Sequence, residues 1–376
     1  MKITRFLENA LTHRGPLYVQ YYVTARCNLR CQQCNVIFAN ADRRELQTEE
    51  SFAVIDSLAA LNTSVLLLTG GEPFARADLP LLAKKAIDAG IHPRIQTNGF
   101  ASPEKLADCA NFGVKDISIS LDSLISKKQD MLNGGFDESW SRALQTVSNV
   151  SNIFGENTFA VFGCVFSPKN FLEVINVIKF ATEIGWWVSL VPAHTTTSII
   201  PRSFSTFDET MKFSKENQNA ACDILDEIIL MKKNGFNIYD SNEFLNDMKR
   251  YVREEPLTWR DRNSGECDAG RMYFAILPDG RFAPCCDWRL SENINVHGAD
   301  FARSHVRGQY DSEISQIRKS CSGCLYGSYP EISISARYTA ASLERLKLFF
   351  VEKNNKILRV SPSELENLAL EISNGR

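Results

Sequence analysis

The chain has 376 residues, 44% of them hydrophobic and 23% charged, with a formal net charge of −3. That is the make-up of a globular protein with a sizeable core, long enough for one large domain and a smaller one. No basic stripe marks a nucleic-acid partner, no signal peptide opens the chain and no apolar run is long enough to span a bilayer, so a cytoplasmic protein is expected.

The first predicted strand is the alternating run from Tyr18, which leads into Cys27, Cys31 and Cys34, spaced C-x3-C-x2-C. Thr48 is placed to cap a helix carrying Phe52, Ile55 and Leu58. The apolar run Val65 to Leu68 ends in Gly70, Gly71, Glu72 and Pro73, as a strand buried on both faces would. A helix through Leu81, Leu82 and Ile87 stops at Gly90, and a strand from His92 to Gln96 ends at Thr97, Asn98 and Gly99. Ser102 and Pro103 read as a cap and first helical residue. The strand Asp116 to Leu121 ends at Asp122, a helix passes Trp140, Leu144 and Val147, and the next strand runs from Thr158 to Phe166. A helix from Asn170 to Ile184 precedes the last strand, Trp186 to Val191.

Six strand–helix repeats of this kind predict βαβ units in a parallel sheet, either a partial barrel or an open doubly wound sheet. In both, the C-terminal strand ends form one rim, which here carries the cysteine loop, Gly70 to Pro73, Thr97 to Gly99, Asp122, Ser167 and His194. Beyond a linker at 193–204, helices are expected from about Asp208 to Lys233 and from Asn242 to Val252. A composition shift near Trp259 opens a second region, and the tail from about Ala340 is helical.

Eleven cysteines is a high count for a chain without a secretion signal. In a reducing compartment, clustered cysteines favour metal over disulfides. Cys109 and Cys222, on predicted helices, read as small buried hydrophobes. The triplet Cys27, Cys31 and Cys34 fits part of a zinc site, a closed iron–sulfur cluster, or a [4Fe–4S] cluster with one iron left open. The glycines of Gly70–Pro73 free backbone to approach a ligand, and Glu72 offers a carboxylate to a cation; the stretch also reads as a plain turn.

On these residues, with SISLD at Ser118 to Asp122, the chain resembles the radical S-adenosylmethionine enzymes over about residues 16–195. The resemblance implies a partial (β/α)6 barrel. It implies that Cys27, Cys31 and Cys34 hold a [4Fe–4S] cluster whose open iron chelates S-adenosylmethionine. Gly70, Gly71, Glu72 and Pro73 would contact the amino group, with Asn98 and Ser120 near the nucleoside and methionine moieties. One electron then cleaves the sulfonium, and a 5′-deoxyadenosyl radical abstracts a substrate hydrogen. Gln33 departs from the pattern, standing where the family has an aromatic residue or histidine beside the adenine.

The second region carries Cys267, Cys285, Cys286, Cys321 and Cys324. A hairpin, Tyr273 to Leu277 and Arg281 to Ala283 about a Pro278-Asp279-Gly280 turn, can bring Cys267 and Cys285 together. With Cys321 and Cys324, four thiolates close a site that suits zinc or iron–sulfur equally. The hairpin is similar to the C-x(9–15)-G-x4-C signature of SPASM/twitch extensions. That likeness implies a small α+β twitch-like domain with one auxiliary [4Fe–4S] cluster on Cys267, Cys285, Cys321 and Cys324, leaving Cys286 over.

The expected organisation is a barrel at 1–200, linking helices at 201–258, the auxiliary-cluster region at 259–340 and a helical tail at 341–376. The expected function is a radical oxidoreductase acting on a small polar substrate, sugar- or cyclitol-like, since the residues before the first strand are too few for a leader-binding domain. Its electron donor is expected to resemble flavodoxin or ferredoxin. The alternatives are a peptide or protein maturase, an epimerase using Cys286 or Cys164 as hydrogen donor, and a non-catalytic metal protein. Candidate substrate-side groups are His194, Arg202, Asp268 and Asp287.

Overall fold

The structure, a computed structural model, describes residues 3–12, 15–31, 33–34, 44–155, 157–193, 211–260, 267–286, 288–321, 323–326, 328–351 and 356–375. Helix α1 is Ile3–Thr12. Six strands follow: β1 Tyr18–Thr24, β2 Val65–Gly70, β3 His92–Thr97, β4 Asp116–Ser120, β5 Phe159–Phe166 and β6 Trp187–Pro192. All six pair in parallel, in sequence order. The helices between and after them are α2 Thr48–Ala60, α3 Leu79–Asp88, α4 Pro103–Asn111, α5 Ser126–Leu132, α6 Ser139–Ile153, α7 Val174–Glu183 and α8 Lys215–Lys233. This is the expected partial (β/α)6 barrel, on one edge of which the hairpin adds two strands.

Alternation sorts each strand's side chains to two faces. Val19, Tyr21, Leu66, Leu68, Ile95, Ile117, Phe162 and Leu190 share one buried core with Ile55, Leu82, Leu144 and Ile178 of the helices. Tyr18, Tyr22, Val65 and Leu67 point the other way, into the barrel, and pack with Ala275, Ala283, Cys286 and Tyr329. Cys109 and Cys222 are fully buried in the helix-side core.

Two local expectations are corrected. Thr48 is the first helical residue of α2, not its cap: Gln47 holds the cap position, with Glu50 accepting from its backbone N–H at 2.9 Å, while the Thr48 hydroxyl donates to Asp78. Helix α8 starts at Lys215 because Ser214 accepts from the Asn217 N–H and ends it there. The expected cap Ser102 does accept from the Lys105 N–H.

Strands β7 Tyr273–Ile276 and β8 Phe282–Ala283 form the hairpin, antiparallel, with Ala275 opposite Ala283. Strand β7 also pairs in parallel with β1, Tyr18 opposite Tyr273, so the hairpin extends the barrel sheet. The remaining helices are α9 Asn242–Val252, α10 Phe301–Val306, α11 Asp311–Ser320, α12 Ser328–Arg337, α13 Thr339–Val351 and α14 Pro362–Ser373. Helix α12 is tied to the chain beyond β6 through Glu331, which accepts from the Ser241 N–H and hydroxyl. The tail is anchored to α6 by Ser148 and Asn152, both donating to Val360 O.

Candidate functional site

The cysteine loop is built on a close approach between the ends of β1 and β2. Gly70 has φ +147°, and a Cβ there would lie 2.2 Å from Thr24 O. A Cβ on Gly71 would lie 2.2 Å from Arg26 O. With no side chains in the way, Gly71 N donates to Thr24 O at 2.9 Å and Glu72 N to Arg26 O at 2.8 Å. Glu45 holds the other side of this stem, accepting from the Thr24 hydroxyl, the Ala25 N–H and the Arg26 guanidinium.

Glu72 is buried, and its carboxylate accepts from Phe74 N, the Thr97 hydroxyl and Asn98 N at 2.8–3.0 Å. It clamps the end of β2 to the end of β3. Burial lifts this carboxyl to about 7 against the pull of those three donors. Pro73 opens a short 3-10 turn behind it. Asn98, fixed by that clamp, turns its amide to Asn28 Oδ1 at 2.9 Å and to Cys27 Sγ at 3.6 Å. Ser120 ends β4 on the interior face, opposite Gly163 of β5.

Cys27 Sγ also accepts from Leu29 N at 3.4 Å, and Cys31 Sγ stands 3.4 Å from Asn133 Oδ1. Burial, then the neighbouring charges of Cys34, Asp122 and Cys27, hold the Cys31 thiol well above its usual range; burial raises Cys27 as well. All eleven cysteines carry thiols rather than disulfides. Asn133 and Gly134 were missed by the sequence reading. Gly134, at φ +85°, lets the turn after α5 press on the loop, since a Cβ there would lie 2.3 Å from Arg30 O. The Asn-Gly-Gly run at 133–135 was the available signal.

Gln33 faces the protein. Its amide donates to Asp122 Oδ2 at 2.8 Å, which ties the loop to the end of β4, while its Oε1 is buried without a partner among the described residues. Asp122 is buried, accepts also from Val165 N, and is pushed up to about 6 by that burial.

The second set gathers near the start of β7. Cys267 precedes β7 and Cys285 follows β8; Cys321 caps α11, and the Cys321 charge is near enough to raise the Cys267 thiol, although burial is the larger cause. Arg260 donates to Arg318 O and Cys321 O, and the Trp259 indole to Cys324 O. Tyr273 Oη lies 2.7 Å from Cys267 Sγ. Among the described residues no group of three or more His, Cys, Asp or Glu side chains is placed to hold a single metal ion. A cluster spreads its thiolates over separate irons and so spaces them more widely than one ion does.

Cys286 turns into the barrel, where the Tyr22 hydroxyl donates to its sulfur at 3.0 Å. Cys164 does not: its neighbour Gly163 faces Ser118 and Gln96 inside, so Cys164 lies in the helix-side core. Asp268 is held in an ion pair with Arg337 at 2.9 Å and is a brace between α12 and the Cys267 loop. His194, Arg202 and Asp287 lie outside the described residues. The interior wall between the two cysteine sets carries Gln20, Gln96, Ser118, Ser120, Gly163 and Ser189. Below them Arg94 and Asp116 pair at 2.7 Å, with His92 on the same carboxylate.

Comparison with known proteins agrees with this geometry. The Radical SAM superfamily model matches residues 21–181. An AdoMet-dependent heme synthase of Methanosarcina barkeri is 29% identical over 175 residues, 46% of this chain and 48% of that protein. A PqqA peptide cyclase of Ruegeria pomeroyi is 27% identical over 177 residues, 46% of each. The chain thus spans about half the length of these relatives. In fold it is similar to Streptococcus suis SuiB bound to its precursor peptide SuiA, with a TM-score of 0.61 at 17% identity, covering 84% of this chain and 70% of that one. The superfamily's cofactors are a [4Fe–4S] cluster and S-adenosylmethionine. No described helix is long and apolar enough to cross a membrane. With a parallel βα barrel, three cysteines on its rim and the family match across them, the chain carries a radical SAM domain over residues 21–181.

Proposed function

We propose that Cys27, Cys31 and Cys34 hold the [4Fe–4S] cluster that binds S-adenosylmethionine, and that Cys267, Cys285, Cys321 and Cys324 hold an auxiliary one. A segment of polypeptide is then modified in the barrel interior between them. The observation that carries this is the loop itself: three thiols on the rim, braced by the Gly70–Gly71 approach. The donors fit the group. The thiols are soft ligands, and Cys27 is faced by two N–H groups that stabilise a thiolate.

When bound, the cluster supplies the electron that cleaves S-adenosylmethionine, releasing the radical that takes hydrogen from the substrate. The chain's own part is placement. Glu72 holds Asn98 against the loop, and Gln33, the residue before Cys34, ties the loop to Asp122. Flavodoxin or ferredoxin is the proposed donor.

The peptide reading is supported by the wall. Gln20, Gln96, Ser118, Ser120 and Ser189 offer amides and hydroxyls, which match a polypeptide backbone, and Arg94 and Asp116 neutralise each other beneath. The solved peptide complex of SuiB and the peptide cyclase among the relatives point the same way. The sugar- or cyclitol-like substrate has no support among the relatives named above. A second reading, inversion with Cys286 as hydrogen donor, is favoured by its position inside the barrel under the Tyr22 hydroxyl.

The test is anaerobic reconstitution with iron and sulfide, then dithionite and S-adenosylmethionine. About eight irons per chain and release of 5′-deoxyadenosine are expected. Replacing Cys27, Cys31 and Cys34 together should abolish cleavage and leave the second chromophore; bound zinc, or no cleavage by the intact chain, refutes the reading. For the second reading, product formed in D2O carries deuterium in the wild type and Cys286→Ala loses turnover; unlabelled product sinks it.

A further inference from the structure

We propose that Tyr273 sets the reduction potential of the auxiliary cluster by donating its phenolic hydrogen to the Cys267 sulfur. This rests on the reading that Cys267, Cys285, Cys321 and Cys324 hold an iron–sulfur cluster.

The phenol oxygen lies 2.7 Å from Cys267 Sγ, and the Ser333 hydroxyl donates to that same oxygen from the other side at 3.4 Å. A phenol has one hydrogen. With Ser333 feeding the oxygen, that hydrogen faces the sulfur, and a metal-bound thiolate has no hydrogen to return. The direction of the bond is fixed once the site is loaded.

The ring is held in place by strand pairing, stacking and burial. Tyr273 is paired with Tyr18 across β1 and β7. Its ring stacks on that of Tyr329 with centroids 4.6 Å apart and planes 8° from parallel. It is 1% exposed, so water cannot take the phenol's place.

Reduction adds one electron to the cluster and makes or breaks no bond. The added charge is shared by the ligand sulfurs, so a donor aimed at one of them strengthens its bond in the reduced state and raises the potential. The first loop has longer counterparts: Cys27 meets the Leu29 N–H at 3.4 Å and the Asn98 amide at 3.6 Å. Tyr273 therefore makes the Cys267 site a better electron acceptor than it would be without the phenol. Its role is to tune a ligand, and it touches no substrate.

The experiment uses the full chain with Cys27, Cys31 and Cys34 replaced by alanine, reconstituted anaerobically so that only the second site carries iron. Its midpoint potential is measured by redox titration followed by electron paramagnetic resonance. In that background Tyr273→Phe should keep the parent's iron content and move the midpoint to more negative values by about 59 mV, a tenfold fall in the reduced-to-oxidised ratio at fixed potential. Ser333→Ala, which leaves the phenol in place, should shift it the same way by less. A Tyr273→Phe protein with full iron and an unmoved midpoint overturns the proposal. If that variant does not retain iron, Ser333→Ala decides: a negative shift supports the proposal and none overturns it. A parent that takes up no iron overturns the cluster reading and the proposal with it, whereas about four irons with unshifted variants overturns the proposal alone.

Discussion

Gly71→Ala tests whether the glycine pair serves the cysteine loop's stem. The added methyl carbon would sit 2.2 Å from Arg26 O, 2.6 Å from Arg26 C and 2.9 Å from Ala25 O, all backbone atoms. No rotamer change relieves this. Reaching ordinary contact requires a retreat of about 1.2 Å by one strand end or the other. That movement breaks the Gly71-to-Thr24 and Glu72-to-Arg26 hydrogen bonds, now 2.9 and 2.8 Å. Each is worth about 1 kcal/mol and overpacking adds about 1–3 kcal/mol, so a loss of about 3–5 kcal/mol is expected. Urea unfolding of the metal-free chain measures it. The same shift displaces Arg26, the residue before Cys27, so iron uptake by the first loop and release of 5′-deoxyadenosine should both fall while the second site keeps its iron. A variant within about 1 kcal/mol of wild type, with full iron and full cleavage, refutes the argument.

Three further predictions follow from the interior. At Gly163 a Cβ would stand 3.4 Å from Ser118 Oγ and 3.8 Å from Gln96 Nε2, ordinary contacts, so Gly163→Ala should cost less than about 1 kcal/mol yet lower substrate turnover while S-adenosylmethionine cleavage without substrate persists; equal turnover would show that substrate does not touch this wall. Asp116→Ala leaves the Arg94 guanidinium buried without its partner at 2.7 Å, and unfolding should report a loss of about 3–5 kcal/mol with iron uptake unchanged. Burial first, and Glu331's charge second, lift the Asp240 carboxyl from 3.8 to about 7. Because the folded value lies above the unfolded one, its contribution to stability is complete below about pH 4 and is lost as pH rises through 7. An asparagine still accepts from Leu190 N, so Asp240→Asn should gain on wild type by about 2–3 kcal/mol between pH 5 and pH 8; a difference that stays constant with pH refutes this.

What the sequence revealed was local. The spacing of Cys27, Cys31 and Cys34, the strand run into Gly70–Gly71 and the six βα repeats each lie within a few residues, where chemistry and periodicity are visible. The partners of those residues were not. Asn133 meets Cys31 across 102 positions, and Gln33 meets Asp122 across 89. The glycine pair was read as clearing space for a ligand; that it also clears space for the backbone of Thr24 and Arg26 was not visible. Strand β5, Phe159–Phe166, is apolar on both faces, so alternation could not say whether Cys164 points inward. The contact of Gly163 with Ser118 decides it. The hairpin's pairing with β1 had no signature, because a parallel edge contact between strands some 250 residues apart leaves no trace in either one.

That pairing relates the two cysteine sets. Strand β1 carries the first loop beyond its C-terminal end at Thr24, while Tyr18, at its N-terminal end, is paired with Tyr273, whose phenol touches Cys267. Seven residues of strand span about 20 Å, which separates the two sites by a length too great for direct contact and filled by named side chains. Tyr18 and Tyr22 face the interior between them, Tyr18 against Tyr329 and Tyr22 bonded to Cys286. Cys34 from one set and Cys267 and Cys285 from the other pack against this same apolar cluster. Moving β7 by two residues along β1 would keep every side chain on its face, yet carry Tyr273 and Cys267 about 7 Å nearer to or further from the first loop. The register of β1 against β7, Tyr18 opposite Tyr273 through Tyr21 opposite Ile276, is therefore what fixes the spacing of the two sites.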